Sequence, residues 1–169
     1  MSADIKDYRA ARRAFIAACE TAGVDTIARV HPAKGTDGKP LFMDSAALGP
    51  RLAKKAIVAI AQDLSGSKAL TQLLRDPIAL PPDTRLVLVH AFLPKGAERE
   101  DWLRTSLHAV ATEDLSRVRE LAVLALGEDR KNVTLEIRSP MPDAILHILQ
   151  PVATGADAHD AIAMFLAGK

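Results

Sequence analysis

The stretch Lys55–Leu74, which reads KAIVAIA-QDLSGS-KALTQLL, decides the fold. Its first part is continuously apolar over Ala56–Ala61, which is typical of a strand covered on both faces. A short polar loop containing Ser65-Gly66-Ser67 follows, and from Lys68 the apolar spacing becomes helical until Asp76-Pro77 ends it. This order predicts a crossover unit, and open α/β sheets bind ligands beyond the carboxyl ends of their strands. The loop is therefore the first place to look for a functional site.

The neighbouring segments extend this unit into a sheet. Arg85–Phe92 (RLVLVHAF) predicts a second buried strand, parallel to the first. Val24–His31 alternates apolar and polar residues and, with residues 41–48 (LFMDSAAL), predicts a hairpin at the sheet edge across the PAKGTDGKP turn. An amphipathic helix over Asp4–Ala22 ends at Gly23. We expect an α/β fold with a mixed, mainly parallel sheet and flanking helices.

The last third of the chain is predicted to be mostly helical, with one strand. The segments are helices over 102–110 and 115–126, a strand over Val133–Arg138, and short helices over Ala144–Leu149 and His159–Ala167. A length of 169 residues with no internal repeat and no linker predicts one domain over residues 1–169.

Composition excludes several classes of protein. The net charge is +1 from 22 basic and 21 acidic residues, without a basic run, so no nucleic-acid partner is expected. The N-terminal segment has no long apolar run, so we expect neither a signal peptide nor a membrane span, and a cytoplasmic location. Cys19 is the only cysteine, which excludes a disulfide framework. Its apolar helical position predicts a buried hydrophobe rather than a reactive thiol.

The histidines do not form a metal motif. None has a His or Glu partner three or four residues further along the chain, the spacing that brings two ligands together on a helix. No metal site is predicted from them, and His90, inside a buried strand, is interpreted as a hydrogen-bonded core or crevice residue. The five are His31, His90, His108, His147 and His159.

Serine-hydrolase chemistry is not supported by the turn after the first buried strand. Ser65 or Ser67 occupies a strand-to-helix turn, and His147 or His159 follows later in the chain. A nucleophile elbow, however, requires glycine two residues before the serine. Asp63 stands there before Ser65, so the elbow pattern fails.

A weaker anion-binding hypothesis remains for the same turn. DLSGSK lacks both glycine-rich phosphate patterns. Backbone N–H groups at the helix start, around Ser65, Gly66 and Ser67 and beside Lys68, could still hold an anion. The favoured alternative is that Ser65 or Ser67 simply caps the helix.

Four phrases together resemble the N-terminal half of a zinc carboxypeptidase-like family of bacterial proteins of unknown function. They are DYRAARRAFIAACETAG, VHPAKGTDGKPLFMDSAALGPRLAKKAIVAI, GSKALTQLLRD and IALPPDTRLVLVHAFLPKG, within residues 5–97. The resemblance implies a three-layer carboxypeptidase-like architecture and a zinc-dependent hydrolase acting on peptide or amide bonds. Because residues 98–169 do not extend it, the architecture is expected to be truncated, with a divergent C-terminal part.

The departures from this family fall on its functional residues. The family places its first zinc ligands in an SGTHGVEG-like loop after the central strand, where this chain has AQDLSGS, without the His and the Glu. The family's VHALNPYGF-like strand precedes an arginine-containing, asparagine-rich segment that binds the substrate carboxylate. Here VHAFLPKGA precedes EREDWLRTSLH. A catalytic zinc needs three protein ligands, and Asp63 could replace only one, so no zinc or other cofactor is expected.

Two functions from different classes follow from this comparison. The first is a non-catalytic, metal-free derivative of the scaffold that binds a partner, such as a small anionic or peptide ligand. The alternative is a hydrolase of peptide or amide bonds with a site rebuilt around Asp63 and His90, with Ser65 as a further candidate. A third hypothesis is that a truncated sheet leaves an apolar edge exposed and the chain forms a homodimer.

Overall fold

The described residues of the computed structural model, 4–97, 100–128, 137 and 140–168, form four helices and six strands. The helices are α1 (Ile5–Thr21), α2 (Leu64–Arg75), α3 (Glu100–Asp114) and α4 (Gly155–Leu166). The strands are β1 (Thr26–Lys34), β2 (Pro40–Leu48), β3 (Lys55–Ala61), β4 (Thr84–His90), β5 (Glu120–Leu126) and β6 (Ile145–Ile148).

The strands form one mixed, mainly parallel sheet in the order β1-β2-β4-β3-β5-β6. β3 lies between β4 and β5 and is parallel to both, and β6 is parallel to β5. β1 and β2 form an antiparallel hairpin, and β2 also pairs antiparallel with β4. The predicted α/β class, the parallel pairing of the two buried strands and the hairpin at the sheet edge are all confirmed.

Helices cover both faces of the sheet, which gives three layers. On one face α3 contributes Trp102 and Leu107 to a core that includes Val58 of β3. On the other face α1, α2 and α4 pack against the alternate strand residues, with side chains such as Leu70 and Ile162. Every residue of β4 is buried, as its apolar sequence predicts. Among the described helices, none is both long and apolar enough to cross a bilayer.

α1 begins and ends where the sequence predicts. The Asp4 side chain accepts a hydrogen bond from the backbone N–H of Asp7, and Gly23, with φ +71°, follows the last turn. Cys19 is fully buried and unpaired. The predicted burial is confirmed, and it is the main cause, ahead of the nearby carboxylates, that raises the pKa of the thiol to about 11.

The predicted helix over 115–126 is wrong, because residues 120–126 form the internal strand β5. The sequence ELAVLAL is rich in helix formers, which favoured a helix at the sequence level. In the fold it pairs with β3 along its whole length and is buried on both faces. Tertiary burial of a continuous apolar run outweighs the small intrinsic preference of Leu and Ala for helix.

Two further predictions near the C-terminus need correction. Ala144–Leu149 was predicted as a helix, but Ile145–Ile148 pairs with β5 as the edge strand β6. The final helix starts earlier than predicted, at Gly155, because the Thr154 side chain caps it by accepting a hydrogen bond from the N–H of Asp157. The strand predicted over 133–138 lies outside the described residues except for Ile137, which is buried.

Candidate functional site

The parallel strands β3, β4 and β5 end at one edge of the sheet, where such folds place their sites. β3 is followed by Gln62 and Asp63, β4 ends at His90, and β5 is followed by Gly127 and Glu128. We call this edge the carboxyl end of the sheet. It contains most of the residues that the sequence singles out.

Asp63 is the N-cap of α2. Its Oδ1 accepts a hydrogen bond from the backbone N–H of Gly66 at 2.8 Å, and its Oδ2 accepts one from the N–H of Glu128 at 2.7 Å. Helix α2 therefore starts at Leu64, four residues before the predicted start at Lys68, and Ser65-Gly66-Ser67 form its first turn rather than a loop. Capping by Ser65 or Ser67 was predicted wrongly. A carboxylate performs it, favoured by the positive end of the helix dipole.

Two glycines allow this close arrangement. A Cβ on Gly66 would collide with the carbonyl group of Leu126, at the end of β5. A Cβ on Gly127 would collide with the carboxylate of Asp63, and the φ of +125° at Gly127 is itself rarely adopted by other residues. The first turn of α2 is thus packed directly against the end of β5.

The two serines bond to neighbouring elements. Ser65 Oγ donates to the carbonyl oxygen of Ala153 at 3.0 Å, and Ser67 Oγ lies 2.7 Å from Nε2 of His90. Lys68 is exposed. Since the carboxylate of Asp63 already accepts the N–H of Gly66, an anion that bound this N–H would have to replace the carboxylate. The anion site stays a prediction.

His90 is completely buried at the end of β4. Its ring stacks on Phe15 of α1 at 5.2 Å between centroids and meets the edge of Phe92 at 6.1 Å. Within the described part of the chain, Nδ1 has no hydrogen-bond partner. Burial, with a smaller contribution from the Arg12 guanidinium, lowers the pKa of His90 to about 3, so the ring is neutral at pH 7. The interpretation of His90 as a hydrogen-bonded core residue is confirmed.

An ion pair that sequence reasoning missed lies beside His90. Asp44 of β2 is opposite His90 of β4 in the sheet and is fully buried. Arg12 of α1 binds its carboxylate through Nε at 2.7 Å and Nη2 at 2.9 Å, and its guanidinium lies 4.0 Å from the centre of the Phe42 ring. The one available signal was Asp44 itself, a charged residue inside an apolar strand sequence.

The geometry at the carboxyl end allows one catalytic interpretation. A serine hydroxyl within hydrogen-bond distance of a neutral imidazole is the arrangement that activates a nucleophile. Ser67 is 2% exposed and His90 is 0% exposed, so a substrate has no access to either side chain. In this conformation the pair joins α2 to β4 as an internal hydrogen bond. Asp63 accepts hydrogen bonds from the backbone of α2 and of Glu128, two residues beyond β5.

Comparison with known proteins gives a family match and a fold. Residues 5–123 match the model of a family described as protein of unknown function, DUF2817. The match includes α3 and part of β5, so the predicted end of the resemblance near residue 97 was too early. The comparison with curated proteins finds no match.

Solved structures with the same fold include enzymes. A Zn-dependent exopeptidase from Parabacteroides distasonis has a TM-score of 0.54 at 10% identity, covering 95% of this chain and 90% of that chain. A glutaminyl cyclase from Macrostomum lignano has a TM-score of 0.50 at 12% identity, covering 92% and 67% respectively. An esterase from Mycobacterium marinum, with a TM-score of 0.45, 19% identity and coverage of 97% and 61%, is too distant to support an argument. At these identities the likeness shows the fold alone.

Proposed function

Because the chain belongs to the DUF2817 family of proteins of unknown function and has an exopeptidase-like fold, we propose that it is a metal-free, non-catalytic derivative of a hydrolase-like scaffold that acts as a binding or interaction protein. One observation carries the proposal. The side chains at the carboxyl end that could serve as nucleophile and base, Ser67 and His90, are enclosed in the core.

The described residues do not fit a zinc ion, the metal that the likeness to a Zn-dependent exopeptidase suggests. In this part of the chain no three His, Cys, Asp or Glu side chains lie close enough together to hold a metal. Nε2 of His90 is bonded to Ser67, and each oxygen of Asp63 accepts a backbone N–H. These residues support the fold at the place where a metal would be expected.

Surface cavities away from the carboxyl end support a binding role. One, of about 460 Å³, is lined by Asp25, Ser45, Arg85 and Asp114 together with apolar side chains. Another, of about 530 Å³, lies between the alanine-rich face of α1 and the end of α2. Both volumes fall within the range that binds small molecules. We propose a small anionic or peptide ligand for the second cavity, which Arg75 lines, because two carboxylates line the first and its Arg85 is already paired with Asp114.

A second candidate function is a hydrolase of peptide or amide bonds, with its site rebuilt around Asp63 and His90. The observation in its favour is the 2.7 Å contact between Ser67 Oγ and the neutral His90. For this chemistry the start of α2 would have to open, because substrate access requires exposure of Ser67.

Assays of the purified protein separate the two candidates. We expect no turnover of peptide, amide or ester substrates, with or without added zinc, and a rise in the thermal unfolding midpoint with some short peptides or carboxylates. Ser67→Ala is compared with Ser65→Ala as the matched control. Turnover that Ser67→Ala abolishes and Ser65→Ala retains would replace the binding function with the hydrolase.

A further inference from the structure

We infer that Asp63 is a latch that fastens the start of α2 to the end of β5, and that the carboxyl end of the sheet is a structural joint rather than a metal centre. The inference deepens the proposed function and rests on it in one respect: it places ligand binding elsewhere on the scaffold.

The two oxygens of Asp63 serve two different elements. Oδ1 bonds to the N–H of Gly66 in the first turn of α2, and Oδ2 bonds to the N–H of Glu128, 65 residues further along the chain. Hydrogen bonds from N–H groups to a carboxylate are roughly twice as strong as those between neutral groups. An ordinary helix cap would need only the first of these contacts. The second ties the helix start to the segment that leaves β5.

The surroundings are shaped around this carboxylate. Gly127 leaves the space that Asp63 fills, since a side chain there would collide with the carboxylate. Gly66 lets the helix start approach the carbonyl group of Leu126. The latch therefore requires glycine at both positions. A loop that projected from β3 to bind a metal would not need the start of α2 to lie so close to the end of β5.

Two more hydrogen bonds extend the joint to the segment before α4. The N–H of Gly127 donates to the carbonyl of Val152 at 2.9 Å, and Ser65 Oγ donates to the carbonyl of Ala153 at 3.0 Å. Three parts of the chain, the start of α2, the end of β5 and residues 152–153, therefore meet at Asp63 and its neighbours.

A latch and a metal ligand differ in what the carboxylate stabilises. A latch stabilises the fold in the absence of metal, whereas a ligand stabilises it only when metal is bound. The experiment therefore measures zinc content together with thermal unfolding, before and after EDTA treatment and zinc addition. The proteins are the wild type, Asp63→Ala, Asp63→Asn and the control Asp76→Ala, which removes an exposed carboxylate at the other end of the same helix.

We expect substoichiometric zinc in every protein and no effect of EDTA or zinc on the unfolding midpoint of the wild type. Asp63→Ala should lower that midpoint by about 4 °C or more in metal-free protein. The unfolding midpoint of Asp63→Asn should lie between those of the wild type and Asp63→Ala, because the amide oxygen replaces only one of the two acceptors. Asp76→Ala should unfold close to the wild-type temperature.

Several results would overturn the latch. They are one tightly bound zinc per chain that Asp63→Ala loses, a fall in the wild-type midpoint with EDTA, or an Asp63→Ala protein as stable as the wild type. If Asp63→Ala does not fold, the unfolding midpoints of Asp63→Asn and Asp76→Ala are compared instead, and an Asp63→Asn midpoint no lower than that of Asp76→Ala overturns the latch. A zinc-free protein that hydrolyses peptides would contradict the non-catalytic function and leave the latch in place.

Discussion

A buried neutral histidine makes the stability of this protein depend on pH. Burial, with the nearby Arg12 guanidinium, lowers the pKa of His90 from 6.5 to about 3. Between these two values the unfolded chain binds a proton that the folded chain does not bind. Stability therefore rises with pH in this window, and the contribution of His90 is complete above pH 6.5.

We predict that the free energy of unfolding falls as the pH is lowered from 6.5 toward 4, with His90 contributing up to about 1.4 kcal/mol per pH unit. His90→Gln should remove this part of the slope, because glutamine does not titrate. Urea unfolding at pH 7.5, 6.0 and 5.0 measures it, with His108→Gln on the exposed face of α3 as the control. An unchanged slope in His90→Gln would show that other groups cause the pH dependence.

For Gly66→Ala, helix propensity and tertiary contact predict stability changes of opposite sign. Within a helix, alanine is normally more stable than glycine by about 0.5–1 kcal/mol. At Gly66 the added Cβ meets the carbonyl group of Leu126, and such overpacking costs about 1–3 kcal/mol. We therefore predict that Gly66→Ala destabilises the protein in urea unfolding. Lys68→Ala, on the exposed side of the same turn, should change stability by less than about 0.5 kcal/mol.

At the scale of elements, sequence reasoning succeeded where one signal dominated. β3 and β4 are continuous apolar runs between turn signals, and α1 has clear helical spacing with a stop at Gly23. β5 and β6 were assigned to helices because Leu and Ala favour helix slightly, while their pairing partners lie far away in the sequence. Strand pairing is a tertiary property that local spacing does not contain.

In the candidate site, too, local sequence signals identified single residues but not their tertiary contacts. Asp63, Ser67 and His90 were selected individually from their positions after or within predicted strands. Their contacts were not predictable, since Ser67 and His90 are 23 residues apart and Arg12 and Asp44 are 32 apart. Helical and strand periodicity report which face a residue occupies, not which residue from another element meets it there.

The Arg12–Asp44 pair should be a main connection between α1 and β2. Asp44 is fully buried, whereas Arg12 keeps 22% of its side chain exposed. We predict that Arg12→Ala destabilises the protein by about 2–3 kcal/mol, below the 3–5 kcal/mol typical of a fully buried pair because Arg12 is partly solvated. Thermal or urea unfolding measures it. Arg13→Ala, one position along on the exposed face, is the control and should have little effect. Equal losses for both would contradict the role of the pair.

At the scale of the whole molecule, the comparisons both confirm and limit the sequence-based expectations. The three-layer α/β fold is similar to that of a Zn-dependent exopeptidase, as the resemblance implied. The expected truncation is not supported, because the match covers 90% of the exopeptidase chain. The family match ends at residue 123, and β6 and α4 lie beyond it. The family model therefore does not describe this last segment of the chain.

The two edges of the sheet formed by the described residues differ in how they are protected. β1 exposes Ile27 and Val30 but carries Pro32 and Lys34, which discourage pairing with another strand. β6, with the sequence ILHI, has neither proline nor lysine, and Ile145 and Ile148 are 63% and 66% exposed. If the chain forms a homodimer, the edge of β6 is the better interface.

We therefore expect light scattering after size exclusion to give twice the chain mass of 18.1 kDa. Ile148→Lys should shift this to the monomer without lowering the unfolding midpoint of the monomer, since the side chain is exposed. Val30→Lys on the opposite edge is the matched control and should remain a dimer. A dimer that survives Ile148→Lys but not Val30→Lys would move the interface to β1. A wild-type protein of monomer mass at all concentrations would show that four edge residues bury too little surface to hold two chains together.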